Sequence, residues 1–218
     1  MAHLHLGING PVSGKVGNLV YYIYRGKNYV RRAPIKSKKA PTLKQEIQRA
    51  KFGLAVAFAS PVAKLVNQSY KLINRKKAGS DMLIRRILSE AIIGKYPKFE
   101  IDFSKVQLIK GSLPHSRAVM EQKEHSNRVY INWDMCGSGT SLDDELIVMM
   151  YSNNTGKWLL SIANCSRMDE SCLLMMDSPE GGERSQIWIA FRSANRKAYS
   201  DSEFLGEVNV NKTASYEN

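Results

Sequence analysis

The chain has 218 residues, 43% hydrophobic and 24% charged, the balance of an ordinary globular protein with enough apolar content for one large domain or two small ones. No apolar run approaches the ~20 residues that cross a bilayer, which excludes a membrane-spanning helix. The formal charge of +12 is unevenly spread: residues 1–99 hold 20 Lys and Arg against 3 Asp and Glu, while residues 100–218 hold 12 against 17. The halves therefore carry +17 and −5, and a basic half of this kind meets nucleic acid or an acidic protein surface, including that of another copy.

The opening Met1-Ala2-His3-Leu4-His5-Leu6-Gly7 has neither the cationic start nor the apolar core of a secretory signal. The expected location is the cytoplasm, or a particle assembled there. Ser13-Gly14-Lys15 is reminiscent of a phosphate-binding loop, but Asn9 stands where the first glycine is required. Val16 stands where a magnesium-binding hydroxyl is required, so no nucleotide is expected.

Asn18 to Tyr24 is rich in strand formers, Arg25-Gly26-Lys27-Asn28 is a turn signal, and Tyr29-Val30-Arg31-Arg32 returns as a second strand. Leu19, Val20 and Ile23 make this hairpin apolar on both faces, so it calls for cover on both sides. Leu19, Val20, Tyr21, Tyr22, Ile23, Tyr24 and Tyr29 are the candidate subunit-contact residues. Residues 33–41 read as an exposed basic connector, obstructed by Pro34 and Pro41.

Thr42-Leu43-Lys44-Gln45 is a capping-box signature, and Leu43, Ile47, Ala50, Leu54 and Ala57 predict a helix to about Ala59. Ser60-Pro61 starts a second helix with Val62, Leu65, Val66, Leu72 and Ile73 as its apolar face. After a basic break, Ser80-Asp81 predicts a third helix carrying Leu83, Ile84, Ile87, Leu88 and Ala91, stopped by Gly94.

Beyond Pro97 the period changes. Phe99, Ile101, Phe103, Val106 and Leu108 predict a strand, followed by candidates at Arg128–Trp133, Glu145–Tyr151, Lys157–Ile162, Ser171–Met176, Gln186–Phe191 and Phe204–Val210. Seven short strands separated by Gly, Asn and Ser predict an antiparallel β-sandwich of the immunoglobulin or fibronectin III kind, with Trp133 in its core. The fold class is therefore α+β in three parts: a basic hairpin arm and connector (1–41), a basic helical region (42–98) and the sandwich (99–218).

Chemistry-bearing constellations are sparse. Asp134, Asp143, Asp144 and Glu145 do not fit a calcium ladder and read as solvated turn residues. The histidines are scattered, and Cys136, Cys165 and Cys172 have no close C-x-x-C pair, which makes buried free thiols the expectation and a disulfide or metal site the alternative. No cofactor or metal is expected, and an enzyme would have to use the loops around Ser138–Asp144 and Glu180–Arg184. Nucleic-acid binding is the alternative to assembly. Its candidate residues are Arg25, Arg31, Arg32, Lys36, Lys38, Lys39, Arg75, Lys76, Lys77, Arg85 and Arg86, with tyrosines interleaved at the hairpin.

Several segments carry a resemblance. Gly14-Lys15-Val16-Gly17-Asn18, Gly26-x-x-Tyr29-x-Arg31 and Thr42-x-x-Gln45-x-x-Gln48-Arg49-x-Lys51-Phe52 resemble a Bacteroidota family of unknown function. So do Tyr96-Pro97-x-Phe99-x-Ile101-Asp102-Phe103-Ser104-Lys105-Val106, Gly111-Ser112-Leu113, Ala190-Phe191-x-Ser193 and Ser200-x-Ser202-x-x-Leu205-Gly206. Where the family tends to have Asn-Pro-Arg-Thr before the first helix, this chain has Lys39-Ala40-Pro41-Thr42. The resemblance implies no activity. The Gly-Lys-Gly opening and the helix start are also similar to short segments of phage-type structural proteins. The charge split, the doubly apolar hairpin, the sandwich pattern and the lack of a catalytic constellation point to a non-enzymatic assembly protein, a homo-oligomer or larger assembly of protein subunits.

Overall fold

The computed structural model describes residues 2–4, 13–35, 39–73, 78–122, 127–134, 141–176 and 183–210. The chain divides into two compact units, Met1–Thr42 and Leu43–Asn218. The stretches 42–98 and 99–218 thus fold together.

The first unit is one antiparallel sheet of four strands: β1 (Ala2–Leu4), β2 (Gly14–Val16), β3 (Leu19–Tyr24) and β4 (Lys27–Arg32), in the order β1-β4-β3-β2. Tyr24 pairs with Lys27, leaving Arg25-Gly26 as a two-residue loop with φ of 52° and 74°. Positive φ at both positions is the hairpin turn whose twist matches the strands, and glycine adopts it without strain.

The second unit opens with α1 (Leu43–Ala59), which begins directly after Thr42, then α2 (Ala63–Ile73) and α3 (Gly79–Arg86). Helix α2 buries Val66, Ser69 and Tyr70, together with Val62 ahead of it, while Leu72 and Ile73 are half exposed. Their place on its apolar face is therefore corrected: they fall off the buried stripe at its last turn. Helix α3 is also shorter than its periodicity predicts. A π-turn at Ile87–Ala91 follows it, and the chain then enters β5 (Ile92–Lys95), paired with β6 (Lys98–Ile101) across the turn at Tyr96-Pro97. β-branched Ile92 and Ile93 pair with Ile101 and Glu100, so hairpin formation overrides the helical period and Gly94 lies in a strand.

The expected strand over Phe99–Leu108 ends at Ile101. Asp102 caps a 3₁₀ turn at Phe103–Lys105, accepting a hydrogen bond from the Ser104 amide at 3.3 Å, and Val106 to Lys110 run as irregular chain. That chain is pinned to a distant segment. The amides of Leu108 and Ile109 donate to Ser202 Oγ (2.9 and 3.1 Å), that of Gly111 to Asp201 Oδ1 (2.8 Å), and that of Leu113 to the Tyr199 carbonyl (2.9 Å).

The sandwich contains seven strands: β7 (Ala118–Gln122), β8 (Arg128–Trp133), β9 (Glu145–Ser152), β10 (Trp158–Ser166), β11 (Ser171–Met175), β12 (Glu183–Arg192) and β13 (Glu203–Val210). One sheet runs β11-β8-β7 and the other β10-β9-β12-β13, every pairing antiparallel. The first strand of the set is β7, which sequence patterning missed, because Ala118-Val119-Met120-Glu121-Gln122 has only weak alternation. The class is α+β with a fibronectin III-like sandwich.

The four-stranded sheet is a middle layer. Leu146 and Val148 of β9, with Ile187, Ile189 and Phe191 of β12, face the three-stranded sheet and its Val129, Ile131 and Trp133. The alternate residues Ile147, Met149, Trp188 and Ala190 share a second core with the helices. A strand covered on both faces needs a continuous apolar run, which is what Leu146-Ile147-Val148-Met149-Met150 supplies. Phe58 of α1 joins the layers: its ring centroid lies 4.9 Å from those of both Tyr151 and Trp158, and its carbonyl accepts from Trp158 Nε1 at 2.9 Å.

Candidate interaction surfaces

In the first unit, strand register sorts the side chains. Leu19 opposes Arg32 and Val16, Tyr21 opposes Val30, and Ile23 opposes Asn28, so these residues share one face. Val20 opposes Arg31 and Lys15, Tyr22 opposes Tyr29, and Tyr24 opposes Lys27; these share the other. The expectation of two apolar faces is corrected accordingly. One face is largely aliphatic, with Leu19, Ile23 and Val16 exposed, and the other sets Val20 among tyrosine, Arg and Lys.

The second face has defined geometry. The Tyr22 and Tyr29 rings stack at 5.6 Å with 20° between their planes. The Arg31 guanidinium lies 5.9 Å from the centre of the Tyr22 ring, and that of Arg25 lies 5.2 Å from the centre of Tyr24. Residues 1–42 carry eight Lys and Arg and no Asp or Glu. None of residues 13–35 and 39–42 is buried within the chain.

The candidate residues therefore separate. Leu19, Tyr21 and Ile23 lie on the aliphatic face with Arg32. Val20, Tyr22, Tyr24 and Tyr29 lie on the other with Arg31, and the turn residue Arg25 reaches Tyr24. Lys39 is exposed in the connector. Lys36, Lys38, Arg75, Lys76 and Lys77 lie outside the described residues, as do Cys136 and residues 138–140 and 180–182 of the two candidate loops. Arg85 is exposed on α3, whereas half-buried Arg86 donates to Gln107 Oε1, tying the helix to the chain beyond the 3₁₀ turn. Lys15 and Lys27 were missed. Only the register of β2 and β4 puts them beside the tyrosines.

In the second unit, edge strand β10 exposes Leu159 (58%), Leu160 (41%) and Ile162 (49%). Leu160 pairs with Met149 and Ile162 with Ile147, so these two continue the helix-covered face of the sheet, whereas Leu159, paired with Met150, lies on the opposite face. A groove of about 480 Å³ on the helical layer is lined by Phe52, Asp81, Ile84, Arg85, Leu88 and Ser89.

Asp144 overturns its reading as a solvated turn residue. It is fully buried, with its Oδ2 3.2 Å from Arg167 Nε. Arg167 also donates to Ser116 Oγ and, at 3.1 Å, to the Pro114 carbonyl, and its guanidinium stands 4.1 Å from the Phe191 ring centre. Trp133 Nε1 donates to the Arg167 carbonyl at 3.0 Å. Burial pushes the Asp144 carboxyl above the ordinary range, against the opposing pull of Arg167. This constellation holds one end of the sandwich together. Among the described residues no group of three His, Cys, Asp or Glu side chains could hold a metal ion, and no helix is long and apolar enough to cross a membrane.

Fold and surfaces define a two-part protein, a basic single-layer sheet and a helix-backed fibronectin III-like sandwich. The chain belongs to a family of unknown function (DUF6266), whose profile matches residues 11–206. Among solved structures it is similar to the fn3 domain of human collagen alpha-1(XX) chain, at 14% identity and a TM-score of 0.33 over 50% of this chain and 91% of that one. No curated protein matches it. The resemblance segments around Gly111 and Ser200–Ser202 meet in the hydrogen bonds that pin the irregular chain, so those motifs serve the fold.

Proposed function

We propose that this is a non-enzymatic assembly protein, a subunit of a homo-oligomer or larger bacterial or phage-like particle, whose N-terminal sheet docks on a neighbouring copy. The observation that carries the reading is a four-stranded sheet with no buried residue of its own among those described, one face of which is aliphatic. A sheet must bury its apolar face against another layer to be stable. Full burial of a Leu, Ile or Val side chain contributes about 1.5–3 kcal/mol, so covering Leu19, Ile23 and Val30 is a strong drive to associate. The acceptor is the sandwich of a second copy. Its half of the chain carries −5 against the sheet's wholly basic charge, and its β10 edge offers an exposed apolar strip.

The test is the oligomeric state of full-length protein beside Leu19→Asp/Ile23→Asp. Association that the double variant abolishes supports the reading; equal masses for the two contradict it.

A second reading rests on the opposite face. Stacked Tyr22 and Tyr29, flanked by Arg31, Lys15 and Lys27, form a cationic aromatic platform suited to single-stranded nucleic acid. Fluorescence anisotropy with labelled oligonucleotides at low salt tests it. Binding that weakens steeply with salt, and that Tyr22→Ala/Arg31→Ala removes, supports this role; no binding at low salt removes it.

A further inference from the structure

The two sheets of the sandwich are joined differently at their two open sides. On one, Gln122 of β7 exchanges hydrogen bonds with Asn209 of β13: its Nε2 donates to the Asn209 carbonyl at 2.6 Å, and its Oε1 accepts from the Asn209 amide at 3.2 Å. On the other side, β10 and β11 are the edge strands of opposite sheets, linked by the 3₁₀ turn Arg167–Asp169. There Cys165 Sγ stands 2.8 Å from Cys172 Sγ, well inside the van der Waals contact of two sulfurs. Both thiols pack in the inter-sheet core, Cys172 buried and Cys165 half-buried.

We propose that Cys165 and Cys172 are a dithiol–disulfide pair that clasps the open side of the sandwich under oxidising conditions. The turn between them is already fixed, so little chain must be reordered. Ser166 and Asp169 form a reciprocal capping box, with Asp169 Oδ2 accepting from the Ser166 amide at 2.6 Å, and Arg167 is anchored by Asp144, Ser116 and Pro114. Two sulfurs brought together by a pre-formed turn have the proximity that thiol–disulfide exchange requires.

The oxidant is a small-molecule disulfide of the glutathione class. The more accessible Cys165, as thiolate, attacks one sulfur of the oxidant and expels the other as a thiolate, leaving a mixed disulfide on Cys165. Cys172 then loses its proton to solvent, and its thiolate attacks Cys165 Sγ and expels the second small thiol. Two protein thiols are oxidised to one disulfide, and one external disulfide is reduced to two thiols. Burial, followed by the neighbouring Cys165, pushes the Cys172 thiol up to about 12, so the closing step accelerates as pH rises. The same property slows reopening, because a reductant attacking Cys165 must expel Cys172 as a poor leaving group. In a reducing cytoplasm the pair stays open, and it closes once the protein meets an oxidising environment. This proposal stands apart from the assembly reading.

The test is intact-mass and peptide mapping of the folded full chain after incubation with glutathione disulfide, then alkylation. The expected result is a mass about 2 Da lower, a Cys165–Cys172 cross-linked peptide, alkylation at Cys136 alone, and a Tm raised by about 5 °C that dithiothreitol reverses. Cys136→Ser keeps the shift and Cys165→Ser abolishes it. Complete alkylation of both Cys165 and Cys172 in the oxidised folded chain, or a cross-link through Cys136, overturns the proposal. Should Cys172→Ser fail to fold, Cys165→Ser carries the comparison alone.

Discussion

Arg167 Nε lies 3.2 Å from Asp144 Oδ2, and neither side chain exposes surface to solvent. Removing one partner of such a pair strands a buried charge, which typically costs about 3–5 kcal/mol. Arg167→Met is therefore expected to lower stability by that amount in denaturant titrations. Asp144→Asn combined with Arg167→Met is expected to recover part of the loss, because the orphaned carboxylate is gone.

The pair also sets a pH signature. Arg167→Met removes the cation that lowers the Asp144 pKa, leaving the desolvation that raises it. A carboxyl with a folded pKa above its unfolded one binds its proton more tightly when folded. The penalty is thus full above the folded pKa and disappears below the unfolded value, near 3.9. Stability measured from pH 7 down to pH 4 is expected to show the gap between Arg167→Met and wild type narrowing. Asp102, lowered first by the Ser104 hydrogen bond, and Asp169, lowered first by the Ser166 amide, act the other way in both proteins. Their contribution is present above their unfolded pKa and is lost as pH falls through the folded one, so it cancels in the comparison.

Two glycines make an internal control. A Cβ on Gly111 would stand 1.7 Å from the Tyr199 carbonyl oxygen, where backbone meets backbone and neither can yield. Gly111→Ala is expected to cost about 3 kcal/mol or more, by forcing apart the segment pinned through Asp201 and Ser202. At Gly53, inside α1, a Cβ meets nothing within 4 Å. Gly53→Ala is expected to raise stability by about 0.8–1 kcal/mol through helix propensity. Thermal melts of the two variants should move in opposite directions.

Phe58 links helices to sheet through Tyr151, Trp158 and Trp188, the last at 6.2 Å and edge-on. Phe58→Ala is expected to cost about 3–5 kcal/mol, with loss of near-ultraviolet circular dichroism from both tryptophans. If the helices were an independent region, that signal would persist while only helicity fell.

Much of this was legible in the sequence, and the failures have physical causes. Strand β8 reads directly because Val129, Ile131 and Trp133 are buried while Arg128, Tyr130 and Asn132 are not, a period of two on one covered face. The Ile87–Ala91 segment reads as helical and is, as a π-turn; only its stop, expected at Gly94, comes earlier, because the chain turns back as a hairpin by pairing Ile92 with Ile101. Asp144 in a Ser/Asp-rich loop gives no local sign of burial; its partner lies on another strand's turn, 23 residues on. The tyrosines of β3 were recognised as a candidate surface. Alternation along β3 already parts Tyr22 and Tyr24 from Leu19, Tyr21 and Ile23; what only register supplies is the facing row of Lys15, Lys27, Tyr29 and Arg31.

The central claim is that the aliphatic face of the N-terminal sheet is covered by another copy. Light scattering coupled to size exclusion, run on full-length protein across a hundredfold concentration range beside Leu19→Asp/Ile23→Asp, tests it most directly. The expected result is a discrete oligomer for the wild type and a folded monomer for the variant, with Arg31→Ala retaining the oligomer. A wild type that stays monomeric throughout, with hydrogen exchange already slow in β3 and β4, would contradict the account.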